Sequence, residues 1–151
     1  MRLLFHELAH QVVYASGDTG FNESYATAVE RLGVDLWLSE HSTPKARDEF
    51  NSSEKRRSQF RALTQDTRVQ LAKVYDAKAP DMPAQKVAAM QQFRDRYAAL
   101  CKEWADEGIK PAQLTNLDRW VLEANNASFG AQGAYDDLVP AFVALFEREQ
   151  K

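Results

Sequence analysis

The chain has 151 residues, of which 44% are hydrophobic and 27% charged, the composition of a folded globular protein of single-domain size. That excludes a disordered tail, and no apolar run approaches the roughly 20 residues of a membrane-spanning helix. With 19 basic against 22 acidic residues the net charge is −3, so no global charge excess argues for nucleic acid as a partner.

Met1-Arg2-Leu3-Leu4-Phe5 opens apolar, but the run stops at His6-Glu7, short of the roughly 7 to 15 apolar residues of an export signal. A motif that begins so early is expected of the C-terminal part of a longer protein, with an N-terminal region missing here. Leu3, Leu4, Leu8, Val12 and Val13 predict a first helix over about residues 1–14, ended by Ser16-Gly17-Asp18-Thr19-Gly20. A second helix starts near Asn22, read as its N-cap, and carries Tyr25, Ala26, Val29, Leu32, Leu36 and Trp37 on one stripe to about Glu40. Ser42-Thr43-Pro44 opens a third, bearing Phe50, Phe60, Leu63, Val69, Leu71, Val74 and Tyr75, with a break expected at Asn51-Ser52-Ser53. The basic residues between Lys45 and Arg68 lack exposed aromatic partners and read as a solvated helix surface.

Ala79-Pro80-Asp81-Met82-Pro83 is a turn, and a fourth helix to about Glu107 presents Val87, Met90, Phe93, Tyr97, Leu100 and Trp104. Cys101, the single cysteine, lies in that apolar pattern and reads as a packed thiol. From Gly108 to Gly133 the sequence is irregular, with a short helical piece around Leu117–Leu122, and a last helix covers about Asp136 to Glu149 with Leu138, Val139, Phe142, Leu145 and Phe146 inward. The expectation is an all-α bundle of about five helices in one domain. Its first two helices form a hairpin over about 1–40, ahead of a helical bundle over about 44–151.

The chemistry concentrates in His6-Glu7-Leu8-Ala9-His10. On a helix, positions i and i+4 face the same way, so two imidazoles spaced as in HExxH can ligate one zinc ion. Glu7 follows His6 and can reach water at the open coordination position, as general base and then as general acid to the leaving amine. A third ligand is required. Cys101 is mid-helix in apolar company and His41 stands at the far end of the second helix. Glu23 is the better candidate, since it opens that helix after a glycine-containing turn that lets the chain reverse. Glu30, seven residues on, lies on the same helix face and can accept from a ligand histidine, unless it pairs with Arg31 or Lys45; Thr27 is its rival. Tyr14 is expected to pack in the core.

His6-Glu7-Leu8-Ala9-His10-Gln11, Phe21-Asn22-Glu23-Ser24-Tyr25-Ala26 and Glu30 together resemble the gluzincin metallopeptidases. The aminopeptidase N family pairs HExxH with an Asn-Glu-Gly-Phe-Ala stretch whose glutamate is the third zinc ligand. Here twelve residues separate His10 from Glu23, a shorter interval, and Ser24-Tyr25 replaces Gly-Phe. The bacterial family of predicted aminopeptidases is more similar, and its late Asn-Asn-Ala, Tyr and Val-Pro-Ala-Phe segments are matched by Asn125-Asn126-Ala127, Tyr135 and Val139-Pro140-Ala141-Phe142. The resemblance covers roughly residues 3–40 and 117–147. It implies a zinc-dependent peptidase acting on peptides, with His6, His10 and Glu23 as ligands and Glu7 as base. Such proteins are longer and carry export or lipoprotein signals, which implies the cell envelope or periplasm. The Gly-x-Met-Glu-Asn motif that grips a free amino terminus in aminopeptidase N relatives is missing. Gluzincins add a donor to the oxyanion from a later segment, and Tyr135, after the Gly130–Gly133 stretch, is the candidate, unless it packs to anchor the last helix; Asn125 and Asn126 either brace that loop or touch substrate main chain. The alternative function is a non-catalytic helical scaffold that retains the metal site as a relic.

Overall fold

Apolar residues at three- and four-residue spacing, with few breakers between them, leave the backbone one way to satisfy its polar groups while burying a stripe. The structure, a computed structural model, describes residues 2–149 apart from the side chains of residues 132–134. Its elements are α1 (Arg2–Val12), α2 (Thr19–His41), α3 (Pro44–Asp76), α4 (Met82–Asp106), a 3-10 turn (Pro111–Gln113), α5 (Thr115–Glu123), α6 (Asn126–Asp136) and α7 (Val139–Glu149), with no strand among the described residues. The fold is all-α, as the periodicity predicts.

Several boundaries differ from the sequence reading. Asn51-Ser52-Ser53 does not break α3; the three residues flank neither glycine nor proline, so helix continues through them at modest propensity cost. The Gly130–Gly133 stretch is helical, within α6, and the last helix starts at Val139 rather than Asp136. With α5 and α6 added, the described residues form seven helices where about five are expected. Pro140 is tolerated because it occupies the first turn of α7, where its missing N–H has no intrahelical partner to lose.

The chain forms two compact units, residues 52–130 and a second that joins residues 1–51 to residues 131–151. In the unit of residues 52–130 the core is built from Phe60, Leu63, Leu71, Met90, Phe93, Tyr97, Trp104, Val121 and Phe129. Its rings meet edge to face, Phe93 on Phe129 at 5.2 Å and Phe60 on Trp120 at 5.4 Å between centroids. Buried polar tips are paired: the Trp104 indole donates to Gln59 at 2.8 Å and the Tyr97 hydroxyl to Asp118 at 2.7 Å. Asn125 and Asn126 belong to this unit. The Asn125 carboxamide accepts from the Ala127 N–H at 2.9 Å, capping α6, and Asn126 donates to the Tyr75 hydroxyl.

The other unit packs α1 against α2, and α2 against α7. Its core is made of small side chains, Ala9, Ala26 and Ala28, with Val34 and Val139, which lets backbones approach closely. Gly33 marks the tightest approach, since a Cβ there would lie 3.0 Å from the Phe5 ring. The apolar residues that predict α1 face outward: Leu3, Leu4, Leu8 and Val12 are exposed. Tyr14, expected in the core, is 70% exposed. Leu36, Leu138 and Leu145 are also exposed. The inward side of α1 is the narrow one containing Ala9, so size rather than hydrophobicity selects what α2 covers.

Candidate metal centre

The site is assembled by the turn between α1 and α2. Gly17 takes a left-handed φ of 83°, a conformation open to glycine without a Cβ penalty. Asp18, not Asn22, caps α2, its carboxylate accepting from the Phe21 N–H at 2.9 Å. Asn22 does something else. Its carboxamide accepts from the Ala15 N–H at 2.7 Å and donates to the Ala15 carbonyl at 2.8 Å, clamping the end of α1 to the first turn of α2. The next residue is Glu23, so this clamp sets where the glutamate meets α1.

The Glu23 carboxylate spans both histidines. Its Oε2 lies 3.2 Å from His6 Nε2 and its Oε1 3.9 Å from His10 Nε2. The two imidazoles stand edge to face with centroids 5.0 Å apart. One ligand atom from each of His6, His10 and Glu23 lies within 4.8 Å of the other two. A tetrahedral zinc with bonds of about 2.0–2.2 Å separates its ligand atoms by about 3.3–3.6 Å, so small side-chain adjustments fit the three to one ion. Two imidazole nitrogens and one carboxylate oxygen are also a zinc donor set by chemistry.

Around these three, Glu30 points its Oε2 at His6 Nδ1, 3.5 Å away, and its Oε1 at Arg2 Nε, 3.4 Å away. It therefore faces the histidine and not Arg31 or Lys45; Lys45 pairs with Glu49. Thr27 is buried in α2. The Nδ1 of His10 is buried with no hydrogen-bond partner among the described residues. Glu7 is exposed beside the histidines on α1.

Tyr135 reaches the same place from the far end of the chain. It stands in the last turn of α6, and its ring is 6.2 Å from the His6 ring between centroids. The Glu23 charge raises its phenol above the ordinary range, helped by burial, by a hydrogen bond with Glu23 and by the charge of Glu7. The backbone on which it rides is tied to α2. Asp136 accepts from the Arg31 guanidinium, and the Leu138 N–H donates to the Ser24 hydroxyl at 3.3 Å. Phe142 of α7 completes the contact, edge-on to Phe21 at 5.2 Å and to Tyr25 at 5.5 Å.

Sequence reading did not single out Arg2, Ser24 or Asp136 for this neighbourhood. Asp136 carried no readable signal, because the sequence makes it the first residue of the last helix, where an acid is favoured, whereas it ends α6. Ser24 carried none, because its partner is 114 residues away.

A family model described as "putative aminopeptidase" matches residues 1–151. The chain belongs to that family. Neither a curated protein nor a solved structure matches it. Membership in the aminopeptidase family is thus carried by the whole chain, including the helices between the two segments on which the sequence resemblance rests. Among its described residues, no helix of this aminopeptidase-family chain is long and apolar enough to cross a membrane.

Proposed function

We propose that this aminopeptidase-family chain carries the hydrolytic machinery of a zinc-dependent peptidase of the gluzincin type. The observation that carries the reading is the Glu23 carboxylate lying across the Nε2 atoms of His6 and His10. These three side chains would hold the ion, which when bound supplies Lewis acidity for hydrolysis. Glu30 Oε2 lies 3.5 Å from His6 Nδ1 and would accept its N–H when the ion is held, favouring the tautomer that leaves Nε2 free to ligate. Glu7, exposed and on the same helix, takes the proton of the attacking water and passes it to the leaving amine. A phenol carries its proton near neutral pH, and the Tyr135 hydroxyl can donate to the oxyanion that forms at the scissile carbonyl.

The test is a Glu7→Gln variant of the full protein, compared with the parent for zinc content and for hydrolysis of aminoacyl anilides and peptides. The reading requires roughly one zinc in both proteins and turnover lost in the variant by at least about 100-fold. Zinc lost together with activity would place Glu7 among the ligands instead. Equal turnover in both would remove Glu7 from the mechanism, and no turnover in the parent would leave the second reading, a helical scaffold with a relic site, which the exposed Leu3, Leu4, Leu8 and Val12 of α1 favour as an interaction face.

A further inference from the structure

We propose that Arg31 and Asp136 form a positioning pair that holds the Tyr135 ring over the metal-ligating side chains. The inference rests on the role given to Tyr135 above. Tyr135 is 45% exposed, and its ring contact among the described residues is with His6. Core packing does not hold it there; the hydrogen bond of its phenol with Glu23 and the backbone that carries it do. That backbone is the last turn of α6, and the next residue, Asp136, is bound by Arg31 from the middle of α2, 105 residues away in sequence.

Three observations separate this pair from an ordinary surface ion pair. Asp136 ends α6, where an acid meets the negative end of the helix dipole, so it is unfavourable there without its cation. The two side chains are only 27% and 31% exposed, so their attraction is screened less than that of a pair in open solvent. Arg31 also shares α2 with Glu23 and Glu30, so one rigid element carries a candidate ligand, the carboxylate behind His6 and the anchor of Tyr135. The Ser24–Leu138 hydrogen bond, two residues past Asp136, fixes the chain on the other side of the α6 end. The site residues from α1, α2 and α6 are therefore referenced to one helix.

The test reads the tyrosine directly, in the metal-free full chain. With ring-labelled tyrosine, the Tyr135 signals are assigned by their disappearance in Tyr135→Phe, and the nuclear Overhauser effect between the Tyr135 and His6 rings is measured. Arg31→Gln and Asp136→Asn should each abolish that effect, Arg31→Lys should keep it, and Arg31→Asp combined with Asp136→Arg should restore it. Arg148→Gln, which removes the exposed pair with Glu149, should leave it intact. Should Arg31→Gln fail to fold, Asp136→Asn carries the comparison. In turnover assays, either single variant should lower kcat toward the Tyr135→Phe value, on the order of 100-fold, with KM little changed. In a Tyr135→Phe background the same substitutions should add nothing. A ring contact that survives both Arg31→Gln and Asp136→Asn overturns the proposal, as do turnover losses that multiply. A parent with no hydrolysis sinks the peptidase reading alone, because the ring contact still decides the positioning.

Discussion

Asn22 shows how much one side chain decides. Its two hydrogen bonds to Ala15 use both faces of the carboxamide, so no isosteric residue replaces both. Asn22→Ala strands a backbone donor and acceptor beside a residue that is only 4% exposed, and is expected to cost about 1–3 kcal/mol. Urea unfolding checks the stability, and zinc titration should show weaker binding, because Glu23 follows immediately. Asn22→Asp keeps the acceptor but sets a buried carboxylate oxygen against the Ala15 carbonyl, and should cost at least as much. Cys101 belongs to the same scale. Burial pushes its thiol up, the Tyr97 hydrogen bond partly opposes this, and the Asp118 charge adds to it. Less thiolate is present at any given pH, so disulfide reagents should label the native chain more slowly than a free thiol of pKa about 8.5. Tyr97→Phe removes the opposing bond and should slow labelling further.

At the scale of elements, the α1–α2 hairpin depends on closeness. The Phe5 ring sits where a Cβ on Gly33 would lie, 3.0 Å away. Gly33→Ala gains helix propensity of about 1 kcal/mol but forces the ring, and α1 with it, outward at a cost of about 1–3 kcal/mol. Helix content should hold while zinc affinity falls, and Phe5→Leu in the same chain should recover much of that affinity. A calorimetric titration of Gly33→Ala with unchanged affinity would show that α1 tolerates the shift. The end of α6 depends on a different kind of contact, polar ties reaching α2 over long sequence separations, which is why its position could not be read locally.

The whole molecule offers two independent levers. Zinc binding at His6, His10 and Glu23 should stabilise the folded hairpin unit, by about 2.7 kcal/mol at a hundredfold excess over Kd. Hydrogen exchange should then slow in α1, α2 and α7, and chelation should reverse it. Alkali acts on the other unit. Burial, then the Asp118 hydrogen bond, then Cys101 raise the Tyr97 phenol. A raised folded pKa means stability that is fully present below the unfolded value of about 10 and lost as pH climbs past it. Cys101 works in the same direction from about 8.5. The urea midpoint should therefore fall between pH 9 and 11 on this account, about where those two groups begin to ionise when unfolded, and Tyr97→Phe should flatten the decline.

The sequence alone determined the helical class, since period and breakers are local properties, and it singled out His6, Glu7 and His10, whose spacing on one helix needs no tertiary information. It also pointed to Glu23 as the residue opening the next helix. The tertiary structure decided everything that depends on which surfaces meet. It turned Leu3, Leu4, Leu8 and Tyr14 outward and Ala9 inward, because α2 approaches too closely for large side chains. It gave the cap to Asp18 and the clamp to Asn22, two polar residues that a linear reading cannot tell apart. It brought Tyr135 to His6 through Arg31, Asp136, Ser24 and Leu138. Those contacts join residues more than a hundred positions apart, and a pairing at that distance is a property of the packed chain, not of any segment within it.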